Sequence, residues 1–162
     1  MPANAGPHIE KYLAPFREAL NSNAGTSQLA DVNTGYSWCG VFLHWCCRQA
    51  GLALPLQPPG QPATFALVRT WRLWAQAGGA QWFGPAHMPL RGDIVVFRNL
   101  SRPWREDCHI GVVVGTSGKT LRSAEGNVVF GAHGEGRRTQ VKRRLRRSGR
   151  IVGYIRLHED RA

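Results

Sequence analysis

The sequence predicts an α+β fold in which helices from the first half of the chain pack on an antiparallel β-sheet formed by the second half. Apolar residues recur at helical spacing in the first half. The second half instead carries short β-branched runs separated by turn residues, and the links between these runs are short. Helices followed by hairpin-linked strands argue against a parallel, doubly wound sheet.

Two helices are predicted before residue 51. Residues 9–20 are expected to form a short first helix, although Pro15 disfavours helix in its middle, and residues 21–36 are expected to form a loop. Residues 37–50 are expected to form the second helix, because aromatic and cysteine side chains follow one another at helical spacing. Ser37 is a suitable N-cap for this helix, and a glycine follows its last residue.

A connection, a third helix and the strands follow. Four prolines make residues 54–62 an extended connection, and residues 64–77 repeat apolar side chains every three to four positions before a pair of glycines. The turn at residues 116–119 links two of the strands. Strands are predicted at residues 93–97, 110–114, 120–123, 137–145 and 150–157.

The length of 162 residues suits one domain. We expect a single catalytic domain over residues 1–162 and a monomer, with a helix and loop in residues 1–35 and the motif-bearing core in residues 36–157. The content of 43% hydrophobic and 19% charged residues predicts a globular protein. No apolar run approaches the roughly 18 residues of a membrane span. Prolines and acidic residues near the start do not resemble a secretory signal, so we expect synthesis in the cytoplasm.

The charge of the chain is unevenly distributed. The formal net charge is +11, and residues 136–150, here called the basic segment, contain no acidic residue. A patch of this kind favours a polyanionic partner such as nucleic acid, anionic lipid or an anionic cell envelope, although a solvated strand face is an equal alternative. The basic residues of the segment are Arg137, Arg138, Lys142, Arg143, Arg144, Arg146, Arg147 and Arg150.

Cysteine is the first candidate for chemistry. No C-x-x-C pair is present among the four cysteines, which argues against a zinc ribbon or a thioredoxin-type site and suits free thiols. Cys39 falls in the first turn of the predicted second helix, where unpaired N–H groups and the helix dipole stabilise a thiolate. The same N–H groups can bind an oxyanion. The alternative is a buried core thiol, which we expect for Cys46 and Cys47.

A histidine and a carboxylate are the next candidates. His109 opens a predicted strand, where rigid backbone can hold a general base. Glu125 or Asn127 could accept the imidazole N–H and fix the tautomer, although the segment also reads as an ordinary turn. His44 is a weaker candidate base, because it lies five residues after Cys39 on the same helix.

The register of the hairpin decides whether these side chains meet. A symmetric two-residue turn at residues 117–118 would place His109 opposite Gly126. Glu125 and Asn127 would then point to the other face of the sheet. We therefore expect an odd-length loop or a β-bulge, which Gly126 can supply.

Four segments in this order and spacing resemble the CHAP family, the cysteine, histidine-dependent amidohydrolases/peptidases. The resemblance extends over about residues 36–157 and implies a papain-like fold, similar to that of NlpC-type cell-wall peptidases, with the catalytic cysteine at a helix N-terminus. The four segments are Trp38-Cys-Gly-Val-Phe-Leu-His-Trp45, Arg91-Gly-Asp-Ile-Val-Val-Phe97, His109-Ile-Gly-Val-Val-Val-Gly115 and Glu125-Gly-Asn127.

The resemblance implies a role for each site residue. Cys39 matches the nucleophile and His109 the general base. Glu125 matches the acidic residue that orients the base, and Asn127 matches an amide often found beside it. Either Glu125 or Asn127 is thus the third catalytic residue.

Two tryptophans and one acidic residue complete the expectations for the site. Trp38 is a candidate wall of the substrate cleft and Trp104 a candidate rim, with plain packing as the alternative for both. Some phage members of the family bind calcium through aspartates near the cysteine, but only Asp31 precedes Cys39 closely. We therefore predict no metal and no cofactor.

The sequence also departs from the family pattern. Cys108 stands where a glycine often precedes the catalytic histidine, and residues 98–107 form a longer and more charged loop than a tight turn needs. These departures affect the expected shape of the substrate cleft rather than the catalytic residues.

The resemblance implies a cysteine hydrolase that cleaves amide bonds of peptidoglycan, either N-acetylmuramoyl–L-alanine or a bond of the stem peptide. Without a signal peptide, such an enzyme would act in the periplasm or cell wall as a phage lysin released by a holin, or as a secreted antibacterial effector. An effector implies an inhibitory immunity protein. The basic segment is expected to concentrate the enzyme on an anionic envelope and to take no part in bond cleavage.

The sequence is also compatible with two other functions. One is an acyltransferase or deamidase on the same fold. The other is a basic nucleic-acid-binding module, which explains the charge but not the order of cysteine, histidine and glutamate.

Overall fold

Three α-helices precede six β-strands in the computed structural model, which describes residues 4–24, 35–101, 107–130 and 136–158. The predicted α+β class is confirmed. None of the described helices combines the length and the apolar character needed to cross a membrane. The helices are α1 (Pro7–Ala24), α2 (Cys39–Gln49) and α3 (Val68–Trp74), and the π-helical turn Ala75–Gly79 continues α3. The strands are β1 (Gln81–Phe83), β2 (Ile94–Phe97), β3 (His109–Ser117), β4 (Thr120–Phe130), β5 (Gly136–Leu145) and β6 (Ile151–Arg156).

The predicted helices exist, with shifted ends. Helix α1 continues through Pro15 and is longer than predicted, because its buried face packs Leu13 and Phe16 into the core. Helix α2 begins at Cys39 with Trp38 as N-cap and without a side-chain cap. The prediction of Ser37 as N-cap is therefore wrong.

The sheet has the strand order β1-β6-β2-β3-β4-β5, and every pair is antiparallel, as predicted. Strand β1 was not predicted, because three residues are too few to show an alternating pattern. Strand β6, the last of the described strands, lies inside the sheet between β1 and β2, whereas β5 forms an edge.

The two faces of the sheet carry separate hydrophobic clusters. The larger one lies between the helices and one face, and includes Leu13, Leu43, Phe65, Trp71 and Ile110. Helix α2 packs on β3 and β4. It comes so close to β4 that a Cβ atom at Gly126 would lie 2.6 Å from Cβ of Phe42. The smaller cluster contains Val95, Phe97, Val113, Leu121, Ile151 and Tyr154.

The β3–β4 hairpin has a two-residue turn, but a bulge in β3 shifts its register from that of a regular ladder. The turn residues are 118–119, and the pairing shifts between Val113 and Gly115. Beyond this shift Gly111 lies directly opposite Glu125. Directly opposed residues share a face, and so do residues two positions apart in a strand. His109 and Glu125 therefore belong to one face, where an unshifted ladder would separate them.

A second irregularity lies next to Gly126, as predicted, but in the pairing with β5. The β4–β5 register shifts between Glu125 and Val128. Within this shift Asn127 has a φ of 61°, a left-handed conformation that asparagine tolerates better than most residues. The bulge at Gly126 thus redirects β4 after Glu125, whereas the bulge in β3 sets the face on which Glu125 lies.

Candidate active site

Cys39 is the first residue of α2 and is 2% exposed. The N–H of Phe42 donates to the carbonyl of Trp38 at 3.0 Å, as expected for the fourth residue of a helix. Because no side chain caps α2, the N–H groups at its start remain next to the thiol. A Cβ atom at Gly40 would lie 2.5 Å from the carbonyl oxygen of Ala66, so this glycine allows the start of α2 to pack directly on backbone.

His109 opens β3 and joins the thiol to a carboxylate. Its Nε2 lies 2.9 Å from Oε2 of Glu125. Burial by itself lowers the pKa of His109, but hydrogen bonds and charge interactions with Cys39 and Glu125 outweigh it and raise the pKa to about 9. At neutral pH His109 is therefore an imidazolium. Its Nε2–H donates to Glu125, which leaves Nδ1 for Cys39.

Glu125 has a fully buried side chain whose two oxygens are both saturated with hydrogen bonds. Oε1 accepts from Oγ of Ser123 at 2.6 Å and from Nε of Arg144 at 3.1 Å. Oε2 accepts from His109 and from Nη2 of Arg144, the latter at 2.6 Å. Burial alone raises the pKa of Glu125, but these donors and the charge of His109 lower it to about 2. Glu125 is therefore a carboxylate at neutral pH.

Arg144 is the residue of this site that the sequence analysis missed. Its guanidinium lies 4.7 Å from the centre of the Phe97 ring, and its side chain is 20% exposed. The alternative of a solvated strand face therefore does not hold for Arg144, because its guanidinium donates to the buried Glu125 carboxylate. The signal that could have found it is strand alternation: Arg144 pairs with Leu121 and so shares a face with Glu125, whereas the neighbouring Arg143 is exposed.

Asn127 contacts the other side of the site. Its Nδ2 donates to Oγ of Ser37 at 3.0 Å, and this Oγ lies 4.0 Å from Sγ of Cys39. Ser37 therefore links Asn127 to the thiol instead of capping α2. Of the two residues left open as partners of the imidazole, the structure brings Glu125 to His109 and directs Asn127 to Ser37.

Trp38 is packed in the core and does not line a cleft. Trp38 is 2% exposed and stacks on Tyr12, with ring centroids 5.6 Å apart, and it also meets the edge of Phe42. Because this ring is packed inside the core, the expectation of Trp38 as a cleft wall is corrected to a packing role. Trp104 lies outside the described residues.

His44, Cys46 and Cys47, the other histidine and cysteines of α2, have structural rather than catalytic roles. Nε2 of His44 lies 3.2 Å and 3.1 Å from the carbonyl oxygens of Leu54 and Pro55, and burial lowers its pKa. It therefore ties the extended connection to α2. Burial raises the pKa of Cys46 to about 11 and that of Cys47 to about 12. None of the four cysteines, all of which lie in the described ranges, forms a disulfide bond.

The described ranges contain no group of three or more His, Cys, Asp or Glu side chains that could hold a metal ion. Asp31, the acidic residue closest before Cys39, lies outside those ranges.

Comparison with known proteins places the chain in a family. The family model of the CHAP domain matches residues 31–127, a stretch that contains Cys39, His109, Glu125 and Asn127. No curated protein and no solved structure matches the chain. Because the matched stretch is more than half of the 162 residues, the chain belongs to the CHAP domain family, whose members are generally cysteine- and histidine-dependent amidohydrolases or peptidases.

Proposed function

We propose that this protein is a cysteine hydrolase that cleaves amide bonds of peptidoglycan, either the N-acetylmuramoyl–L-alanine bond or a bond of the stem peptide. The observation that supports the proposal most directly is the linked set of Cys39, His109 and Glu125. The thiol and the carboxylate act on the same imidazole and together raise its pKa. A nucleophile, a base and a third group that orients the base are the arrangement that nucleophilic catalysis requires.

The first half of the reaction forms a thioester. The thiolate of Cys39 attacks the carbonyl carbon of the amide, and the N–H groups at the start of α2 stabilise the oxyanion. When the C–N bond breaks, the imidazolium of His109 donates its proton to the leaving nitrogen. The products are a free amine, a neutral imidazole and an acyl group bound to the sulfur.

The second half regenerates the enzyme. Neutral His109 takes a proton from a water molecule while the water oxygen attacks the thioester carbon. The C–S bond then breaks, so Cys39 leaves as a thiolate and His109 is again an imidazolium. Throughout, Glu125 accepts the Nε2–H of His109 and stabilises its positive charge.

The positive charge on the protein surface supports the proposal of an anionic substrate. Arg143, Arg147 and Arg150 of the basic segment are exposed, and the chain carries a formal charge of +11. Such a surface attracts an anionic cell envelope through long-range electrostatics. We propose that the enzyme acts in the periplasm or cell wall, as a phage lysin or as a secreted antibacterial effector. In the second case an inhibitory immunity protein would protect the producing cell.

The test is digestion of intact sacculi by the purified protein, with mass spectrometry of the released muropeptides to identify the cleaved bond. We expect Cys39→Ala to abolish release and His109→Ala to reduce it nearly as far, since members of one catalytic unit are not additive. Cys46→Ala is the matched control, because it removes a thiol of the same helix whose pKa is raised by burial. Activity should survive EDTA.

Three outcomes would contradict the proposal. If Cys39→Ala digests sacculi as well as the wild type, the thiol is not the nucleophile. If the wild type digests no wall but transfers an acyl group from the thioester to an amine, it is an acyltransferase. Salt-sensitive binding of nucleic acid without hydrolysis would instead indicate a nucleic-acid-binding module.

A further inference from the structure

We propose that Arg144 is a positioning residue of the active site, which keeps the Glu125 carboxylate ionised and in one orientation against His109. This inference rests on the proposed thiol chemistry, but it concerns a residue beyond position 127, where the family match ends. Arg144 lies on β5, the edge strand of the sheet. It is not proposed to touch the substrate.

The contact between Arg144 and Glu125 is a two-point contact. Nε donates to Oε1 at 3.1 Å and Nη2 donates to Oε2 at 2.6 Å, so both oxygens are held by one planar group. A single charged contact would let the carboxylate rotate about its terminal bond. The two N–H groups of the guanidinium instead fix the plane of the carboxylate. They thereby also fix the direction of the Oε2 lone pair that accepts from His109.

Burial makes these two hydrogen bonds necessary. The side chain of Glu125 is fully buried and accepts four hydrogen bonds, of which Arg144 supplies two. Without Arg144 the carboxylate would keep only Ser123 and His109 as donors. A buried carboxylate that loses half of its donors becomes easier to protonate. The nearest available proton is the one that His109 must keep to form an ion pair with Cys39.

Arg144 also contacts Phe97 on β2, the strand that pairs with the start of β3. Its guanidinium lies over the ring of Phe97, a residue that is 4% exposed. Phe97 pairs directly with His109 in the β2–β3 ladder, and the two rings are stacked with centroids 6.0 Å apart. The four side chains Phe97, His109, Glu125 and Arg144 therefore form a closed arrangement in which each contacts two others.

The charge of Arg144 also has a specific role. In the resting state His109 carries a proton while Glu125, 2.9 Å away, does not. A positive charge on the far side of the carboxylate opposes transfer of that proton from Nε2 to Glu125. Arg144 therefore helps to keep the imidazolium, which the thiolate needs as its counterion and the leaving amine needs as its proton donor.

The experiment measures the alkylation rate of Cys39 by iodoacetamide from pH 5 to pH 9, with peptide mapping to assign the label. The variants are Arg144→Gln, Arg144→Lys and the matched control Arg122→Gln. The control removes an exposed arginine of β4 that lies on the face opposite to that of Glu125. We expect Arg144→Gln to slow alkylation at pH 5–6 by about 10- to 100-fold, the factor that one charge-assisted hydrogen bond represents. The acid limb of its profile should also move to higher pH.

The conservative variant separates charge from geometry. Lysine keeps the positive charge but cannot donate two parallel hydrogen bonds from one planar group. Arg144→Lys should therefore be alkylated faster than Arg144→Gln at pH 5–6 but more slowly than the wild type. Arg122→Gln should follow the wild-type profile. If Arg144→Gln does not fold, as judged by circular dichroism, Arg144→Lys carries the test, and a profile identical to that of the wild type would overturn the proposal.

Two results distinguish this inference from the proposed function. Alkylation requires no peptidoglycan, so a shifted profile supports the positioning role even if the wild type digests no wall. Conversely, suppose that wild-type protein digests sacculi while Arg144→Gln and Arg122→Gln have the same alkylation profile and the same kcat. That result would support the proposed hydrolase and refute the role of Arg144. A folding defect alone would lower the fraction of protein that reacts with iodoacetamide, but it would not move the acid limb of the pH–rate profile.

Discussion

Gly111 and Glu125 lie directly opposite each other in β3 and β4, and the side chain of the glutamate occupies the space that a side chain at position 111 would need. A Cβ atom at Gly111 would be 2.7 Å from Cγ of Glu125 and 2.8 Å from the carbonyl oxygen of Ala124. The absence of a side chain therefore lets the glutamate lie across the β3 backbone.

This contact predicts that Gly111→Ala impairs the site. The new methyl group must displace Glu125 or separate the strands, and overpacking of this kind costs about 1–3 kcal/mol of stability. We expect a lower kcat on a soluble muropeptide together with a lower midpoint of urea unfolding. Gly115→Ala is the control in the same strand, because the nearest atoms there, in Arg122, are 4.0 Å away. Equal kcat values for the two variants would contradict the importance of the Gly111 contact.

The ion pairs of Glu125 and His109 predict how stability depends on pH. The pKa of Glu125 is lowered from 4.5 to about 2, so its contribution is complete above pH 4.5 and is lost as the pH falls towards 2. The pKa of His109 is raised from 6.5 to about 9, so its contribution is complete below pH 6.5 and is lost as the pH rises through 9. Together they stabilise the fold most between about pH 4.5 and 6.5.

Urea unfolding at pH 3, 5.5 and 10 tests this dependence. The wild type should lose stability relative to Glu125→Gln on going from pH 5.5 to pH 3, because the Glu125 carboxyl takes up a proton in the unfolded state while it stays ionised in the folded state. A constant difference between the two proteins over this interval would show that the pKa of Glu125 is the same in the folded and unfolded states, which contradicts the stabilised carboxylate.

The environments of the thiols predict selective labelling. Burial raises the pKa of Cys46 to about 11 and that of Cys47 to about 12, so at pH 7 hardly any thiolate forms at either position. Cys39 instead has the imidazolium of His109 as a neighbour. We expect one equivalent of iodoacetamide to label Cys39 first, as identified by peptide mass mapping. Preferential labelling of Cys46 or Cys47 would contradict the thiolate–imidazolium pair.

The exposed part of the basic segment predicts a salt-sensitive affinity for the wall. Replacing Arg143, Arg147 and Arg150 with Gln should weaken cosedimentation with sacculi at low salt. The effect should largely vanish near 0.5 M salt, where the screening length is only about 4–5 Å. Turnover of a small soluble muropeptide should stay the same, because Arg144 is retained. A large loss on the soluble substrate would mean that these residues act within the site.

The catalytic candidates could be predicted from sequence because each has a local signal. Cys39 stands at a helix start, and His109 opens a run of β-branched residues. Whether Glu125 reaches His109 could not be predicted, since this depends on one extra residue in β3 between Val113 and Gly115. Neither the hydrophobic pattern nor the turn residues indicate such a bulge, and a shift of one residue reverses the face of every side chain that follows.

Other errors arose where tertiary contacts override local preference. Ser37 has the chemistry of an N-cap, but Asn127, 90 positions later in the chain, engages its hydroxyl. Arg144 stands in a run of similar residues, and only the pairing of β5 with β4 separates it from its neighbours. Trp38 adjoins the candidate nucleophile in sequence, yet its ring is directed into the core beside Tyr12.

The position of β6 constrains the order in which this protein can assemble. Residues 151–156 pair with β1 on one side and β2 on the other, so β1 and β2 cannot be joined in one sheet until residues 151–156 have been made. During synthesis on the ribosome, the cysteine, histidine and glutamate are all made before this strand. Contacts between such distant parts of a chain form slowly. The nascent chain therefore carries Cys39, His109 and Glu125 before the complete sheet that aligns them can form.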